Sequence, residues 1–339
     1  MVAQHHTRRT SYLKKNRNAV ENRRRCFLET IIGMVLDAGQ KGIDLSLYTI
    51  LPIMVIMLGI MKVLDAKNIL AFVAKGFAPV QVIFGLPGIG VFAIIQILFI
   101  SFAAPVATLR IMENDLSISN ARIAATLAAI LVMAQANAVF PLAVVGLNIP
   151  VNIATSLIAG LTASFIAFKI CKRKGWDQTE TEPSEDFRKK KSSEKIIPLL
   201  FQGGEEGVNI VIKSIPPLII AIFMVNIFGA IGIIDLLETM VAPVLVKVGI
   251  PGIAVLPIVT KFIAGGTAMM AILLDLVNAG AMSVAELNRV AGFTLNPLDP
   301  VGLAVLMATG TRVVKVARPA IFAAIIGIAF RAVLHLIIF

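Results

Sequence analysis

The sequence predicts an all-α integral membrane protein of about eight transmembrane helices, built as two homologous repeats with broken or re-entrant segments. Three observations carry this. The 339 residues are 58% hydrophobic and only 15% charged, with a mean hydropathy of +0.89. Soluble domains hold about 45–50% apolar and about 25% charged residues. Several apolar runs reach roughly 18–22 residues, about what one helix needs to cross hydrocarbon. Finally, APVQVIFGLPGIG from Ala78 nearly recurs as APVLVKVGIPGIA from Ala242.

The repetition extends beyond that phrase. Gly39 and Gly42 match Gly204 and Gly207, Pro52 matches Pro217, LFISFAAPV corresponds to FIAGGTAMM, and Pro150 aligns with Pro319. Composition bias aligns Leu with Ile, but it does not place Pro and Gly in the same order. The chain therefore divides into a basic tail (1–26), a first membrane repeat (27–171), a charged linker (172–195) and a second repeat (196–339). Internal duplication is the common build of membrane transporters.

Each half begins with an amphipathic lead-in (27–38; 196–203), expected to lie in the membrane interface. A first span follows (45–63; 208–229), then a more polar helix (65–77; 233–247) and a second span opened by the PGI phrase (86–103; 250–264). A broken stretch (104–118; 265–285) and two closing spans complete the half (119–140 and 150–170; 287–309 and 319–338).

Charge is segregated. The tail holds Arg8, Arg9, Lys14, Lys15, Arg17, Arg23, Arg24 and Arg25 against the single acid Glu21. On a membrane protein this reads as a topology signal that also attracts anionic lipid, not as a nucleic-acid site. The positive-inside rule then places tail and linker in the cytoplasm of an inner (plasma) membrane protein. Each half crosses an even number of times, and the halves lie parallel. Arg312, Lys315 and Arg318 conflict with that scheme, because it puts their loop outside. Either a re-entrant hairpin has been counted as a span, or these cations face the interior. At i, i+3 and i+6 they form one helical stripe suited to an anionic solute or lipid phosphate.

Broken backbone at membrane depth must be buried in protein or line a wet cavity, since lipid cannot satisfy freed peptide groups. Gly265 and Gly266 permit such a break, and Thr267 adds a hydroxyl; the counterpart break in the first half lies at Pro105. The same glycine pair would also suit a close helix crossing. Lys261 sits in the apolar run IVTKFIAGG beside Thr260, where an ionisable residue is costly and marks function or snorkels. Asn296 and Asp299 lie between Pro297 and Pro300, which forbid a regular helix there. Gln96, Gln135 and Asn137 are the polar residues offered by the first half. The expected solute site joins Thr260, Lys261, Gly265, Gly266, Thr267, Asn296 and Asp299 to these three. Asn296 and Thr267 bond the solute, Lys261 meets an anionic group, or Asp299 holds a coupling Na⁺ or H⁺.

Two isolated cysteines, Cys26 and Cys171, and three histidines make no metal motif. The chain shows no hydrolytic triad, no phosphate-binding loop and no paired catalytic carboxylates. An enzyme is not expected, nor a cofactor or metal. Expected partners are membrane lipids, a small-molecule solute, a coupling Na⁺ or H⁺ and a second copy of the chain.

The segments MLGIMKVLD, LPGIG, IPGIA, FIAGGTAMM and LDPVGLAVLMATGTRVVKVARPAIFA resemble the Gate family, also called nucleoside recognition domain membrane proteins. That family includes the spore-maturation membrane proteins, and its module recurs in concentrative nucleoside transporters and ferrous iron permeases. The resemblance covers roughly 40–170 and 205–339. It implies two fused Gate modules and transport across a bacterial inner membrane, although the chain lacks the long additional helices of full nucleoside transporters. A permease for a small polar or anionic solute, ion-coupled, is the first functional expectation. The alternative is a non-transporting scaffold binding lipid or a protein partner.

Overall fold

A computed structural model of the chain describes residues 28–67, 83–178, 195–247 and 249–339. The basic tail, most of the linker, and the polar helix expected over 65–77 beyond residue 67 lie outside the described residues. The first half comprises α1 (Leu28–Leu64, with a π-helical stretch at Leu45–Ile50), α2 (Gly88–Phe99), α3 (Pro105–Asn114), α4 (Asn120–Val132), α5 (Ala136–Val144) and α6 (Ile149–Arg173). The second comprises α7 (Ile196–Ala230), α8 (Ile233–Lys247), α9 (Val255–Asn278), α10 (Val284–Thr294), α11 (Pro300–Met307) and α12 (Thr311–Ile338). Every element among the described residues is helical.

Six helical segments among the described residues are long and apolar enough to cross a membrane: Leu28–Leu64, Asn120–Val144, Ile149–Arg173, Ile196–Ala230, Gly252–Asn278 and Thr311–Ile338. The other two expected spans form shorter pieces. Residues 86–103 yield the twelve-residue α2, and 287–309 divide between α10 and α11.

The described part of the duplicated phrase, from Gly85 and from Gly249, folds alike in both halves. Gly85 (φ 69°) and Gly249 (φ 78°) take left-handed backbone that a Cβ disfavours. Two residues later Pro87 and Pro251 are extended N-caps, at φ −74°, ψ 159° and φ −66°, ψ 146°. Further along, Ser119 and Ser283 cap α4 and α10 through the backbone N–H groups of Arg122 and Glu286. One pairing shifts. Pro150 opens α6, whereas Pro319 lies inside α12, so the two occupy different places in their helices.

α2 and α3 form a re-entrant hairpin. Thr108 Oγ1 donates to Gln96 Oε1 at 2.6 Å, although twelve residues of straight helix would span about 18 Å. The chain must therefore reverse between them, and the first half crosses the membrane one time fewer than expected.

The lead-ins are not separate interfacial helices. Both run unbroken into the first spans, and Gly59, Gly203 and Gly207 lie where α1 and α7 pack together. A Cβ on Gly207 would sit 2.9 Å from the Met54 carbonyl oxygen, and one on Gly59 3.0 Å from that of Leu200; a Cβ on Gly203 would strike the Leu58 carbonyl. Small residues let two backbones approach, which is how helices associate without a hydrophobic drive between them. Gly203→Leu is expected to part α1 from α7 and to lower the detergent-phase melting temperature more than Gly39→Leu, since Gly39 meets nothing within 4 Å.

The contacts also give direction. Lys62 pairs with Glu206 (3.3 Å), Gly42 abuts Ile219, and Asn226 Nδ2 donates to Asp37 (3.1 Å). Numbers fall along α1 as they rise along α7, so these equivalent helices are antiparallel. α6 and α12 are antiparallel too: Lys315, near the start of α12, stacks over Trp176 past the end of α6, while Arg331 bonds Asn152 near its beginning. The repeats are inverted, not parallel. This corrects the expected topology: the basic start of α12 lies at the linker end of the bundle, but α1 begins at the opposite end, so the tail and the linker do not share one side as expected. The basic tail joins α1 at the opposite end.

Three broken helices, α4–α5, α9 and α10–α11, reach the interior. Ala-rich α4 is sheathed by α2, α6 and α12 in one apolar core, and α9 lies in a second core with α10 and α5. The capping box of α10 is complete: Ser283 N donates to Glu286 Oε2 (2.8 Å), and Glu286 N to Ser283 Oγ (3.3 Å). The backbone and hydroxyl of Ser283 hold the Glu286 carboxyl below its usual range. That contribution is present at neutral pH and is lost as pH falls through the carboxylate range. Ser283→Ala is expected to cost about 1 kcal/mol, read as a melting shift that shrinks in acid.

Candidate functional site

Three helix breaks and the hairpin tip converge. Between α4 and α5 the chain leaves the helix at Met133 and Gln135, both extended. Between α10 and α11 it runs from Leu295 to the extended Asp299, with Pro300 opening α11. α9 is interrupted at Gly265, whose φ of 84° and ψ of −179° lie in a region open essentially to glycine alone. The hairpin tip supplies Phe102.

These parts enclose a cavity of about 40 Å³ lined by Phe102, Gln135, Gly265, Gly266, Thr267, Asp299 and Gly302, with Ala264 and Val301. A water needs about 10–15 Å³ on such a measure, so the space suits an ion or a water or two. Sites for drug-sized molecules run to about 300–1,000 Å³. A larger solute requires the breaks to part.

The electrostatics are internally matched. Helices α5 and α11 and the 266–278 half of α9 begin at the cavity, and each carries partial positive charge there. Asp299 answers two of them. Its carboxylate accepts the Gly302 N–H at 2.8 Å and also faces the amides of Val301 and Gly266. The C-terminal end of α10 is met by cations. Lys261 Nζ, 3% exposed, donates to the Thr294 carbonyl (2.9 Å), the Asn296 carbonyl (2.9 Å) and Asn296 Oδ1 (2.7 Å). Fully buried Arg331 reaches the Leu295 carbonyl.

Of the residues expected from the sequence, Gly265, Gly266, Thr267, Asp299 and Gln135 line one cavity. Asn137 stands beside it, its Oδ1 accepting the Phe102 N–H at 3.2 Å. Lys261 and Asn296 form a bonded pair behind the wall. Asn296 Nδ2 also donates to Phe293 O, and its Oδ1 accepts from Leu298 N. Thr260 bonds back to Leu256 O within its own helix, and Gln96 is taken by Thr108; neither lines the cavity. Arg312 is spent on the carbonyls of Met112, Glu113, Asp115 and Ile118 and on Asn120. Lys315 and Arg318 remain exposed at that end. No group of His, Cys, Asp and Glu fit to hold a metal occurs among the described residues.

Sequence reasoning passed over Phe102, Thr108, Asn152, Arg331 and His335. For Arg331 the signal was present: a cation within the apolar run IAFRAVLHLIIF meets the same criterion that singled out Lys261.

Inverted repeats, broken helices and a polar cavity between the breaks are a build that recurs in secondary transporters. The comparisons agree on the fold. The chain superposes on solved structures of CNTnw, a concentrative nucleoside transporter. In the inward-facing substrate-bound state the TM-score is 0.64 at 16% identity, over 91% of this chain and 83% of that one. An outward-facing state of a doubly substituted CNTnw matches at 0.64 with 17% identity and the same coverage. The intermediate 3 state of a singly substituted CNTnw matches at 0.60 with 17%, over 90% and 82%. These neighbours are transporters, not enzymes, and the chain spans most of their length. No protein-family model matches the chain, and no curated protein does.

Proposed function

We propose that the chain is a secondary transporter that moves a small polar solute through the cavity between its helix breaks. The carrying observation is the convergence of Gln135, Thr267 and Asp299, brought from three separate breaks onto one buried space. Gln135 and Thr267 offer neutral hydrogen bonds to the solute. Asp299 is the carboxylate at the cavity and the group suited to a coupling Na⁺ or H⁺. Its occupation of the convergent amides disfavours a strongly anionic cargo at the same point. The nucleoside transport named for the structural neighbours makes nucleosides the first solutes to try. Other residues of the expected solute site support this reading, Lys261 and Asn296 by shaping the second break and Asn137 by holding the hairpin tip.

The test is thermal unfolding of the detergent-solubilised protein against nucleosides, nucleobases, small polar solutes and anions, Na⁺ at varied pH, and anionic lipid. A ligand that binds only the folded state stabilises by about 2.7 kcal/mol at a hundredfold excess over its Kd. A dose-dependent shift from one solute class, lost in Gln135→Ala and in Asp299→Asn, is the expected result. A shift from anionic lipid alone, untouched by those substitutions, would replace transport with the scaffold reading and direct attention to Lys315 and Arg318.

The linker end is the cytoplasmic end in this reading, because the linker and the basic start of α12 gather there under the positive-inside rule; the basic tail, which the same rule also assigns to the inside, then leads from the opposite end, and side-selective labelling decides between the two. In a background lacking Cys26 and Cys171, thiols introduced by Ser184→Cys and Thr311→Cys should react with an impermeant reagent from the cytoplasmic side, and one introduced by Glu29→Cys from the opposite side. Equal labelling of positions 29 and 184 from one side would overturn the assignment.

A further inference from the structure

Arg331 lies in α12, remote in sequence from every break, and is fully buried. Its Nη1 donates to the Leu295 carbonyl at 2.8 Å and to the Val132 carbonyl at 3.3 Å, and its Nη2 donates to Asn152 Oδ1. All three partners are neutral oxygens. Two of them have special places: Val132 is the last residue of α4 and Leu295 the C-cap of α10. These are the C-terminal ends facing the breaks of the two repeats, where helix dipoles place partial negative charge. One planar cation thus closes the broken helix of each repeat. On the same helix, His335 continues the seam, with Nδ1 2.6 Å from the Asn288 carbonyl in α10 and Nε2 2.8 Å from Thr155 Oγ1 in α6.

Gln135 follows Val132 by three residues, and Asp299 follows Leu295 by four. The two side chains that face the cavity from the paired breaks therefore hang from the two carbonyls that Arg331 holds. We propose that Arg331 is a positioning residue that locks the breaks of both repeats to each other and so sets the opposition of Gln135 and Asp299 across the cavity. The assignment rests on that cavity being the solute site. The guanidinium suits this task because its two terminal nitrogens reach separate acceptors in a fixed plane, whereas an ammonium donates from one point.

Hydrogen exchange on the full-length protein in detergent tests it. In Arg331→Met, amides at 138–139 and 301–303 are expected to exchange at least tenfold faster, together, while those of α1 and α7 keep their wild-type rates. Arg331→Lys should give a partial effect at the same two places. Uniform acceleration along the chain, or a change at one break alone, overturns the proposal. Should Arg331→Met fail to fold, Asn152→Ala, which retains the cation but removes one of its holders, is expected to show the same paired signature more weakly, and unchanged exchange there also overturns it. The second arm is binding. Whichever nucleoside or small polar solute stabilises the wild type should bind at least tenfold more weakly to Arg331→Lys, and equal affinity with paired loosening removes the positioning role. If no solute binds the wild type, the transport reading falls, while the exchange arm still decides whether Arg331 joins the breaks.

Discussion

Lys261→Met is expected to destabilise the folded protein by about 3 kcal/mol. The ammonium is the shared donor to two carbonyls and one side-chain amide oxygen at the end of α10. Hydrogen bonds from charged groups contribute about 1.5–3 kcal/mol each, and a buried acceptor left without a donor costs about 1–3 kcal/mol. Three such bonds sum to at least about 4.5 kcal/mol, and relief from desolvating the charge offsets part of that, which brings the expectation to about 3 kcal/mol. The check is thermal or denaturant unfolding in one detergent. Asn296→Leu added to Lys261→Met should cost less than the two single changes together, because both remove the same bond. A Lys261→Met protein as stable as wild type, with solute binding intact, would show that the lysine is dispensable to the second break.

Gly265→Ala should be nearly as damaging, for a different reason. The backbone at φ 84° and ψ −179° strains any side chain by about 1–3 kcal/mol. The new Cβ would also lie 3.2 Å from the Cβ of Val301, an atom fixed to the α11 backbone that no side-chain rotation moves. The expected result is a loss of about 2–3 kcal/mol and of solute binding together. Gly266→Ala provides the contrast. Gly266 has ordinary helical backbone, and its Cβ would meet the flexible amide of Gln135. Stability should change little, while binding falls because Gln135 is pushed out of position. If Gly266→Ala leaves binding unchanged, Gln135 is not a solute contact.

Much of the site was legible in the sequence, and the reasons are local. Gly265–Gly266, Pro297 with Pro300, and Pro105 interrupt helices by their own backbone chemistry, so the breaks fall where those residues stand. Lys261 was conspicuous because a cation in an apolar run needs an explanation. What it bonds was not legible: its acceptors lie 33 and 35 residues away, and an acceptor made of backbone carbonyls has no residue type to recognise. The expectation that Lys261 meets the solute thus gave way to a lysine that holds a broken helix behind the cavity wall. Gln96 was misleading for a related reason. A polar residue in an apolar helix is consistent with a cavity or with a partner, and the partner, Thr108, comes within reach only through the reversal of the hairpin. The boundary expected between the lead-in at 196–203 and the span from 208 is absent, because a helix tolerates Gly203, Gly204 and Gly207 where another backbone packs against it.

The sequence by itself determined the solvent, the helical class, the repeated phrases and two of the three helix breaks, but not the break at Met133–Gln135, which falls inside the span expected over 119–140. Each follows from composition, periodicity or the conformational limits of proline and glycine within a few residues. Only the tertiary structure decided that the repeats are inverted, that the α2–α3 pair is a hairpin, and that Arg331 joins the ends of two broken helices. A helix has the same hydrophobic pattern whichever way it crosses a bilayer, so direction is settled by which faces pack. There the glycine contacts between α1 and α7, and the buried cations that need carbonyl oxygens from distant parts of the chain, select one arrangement.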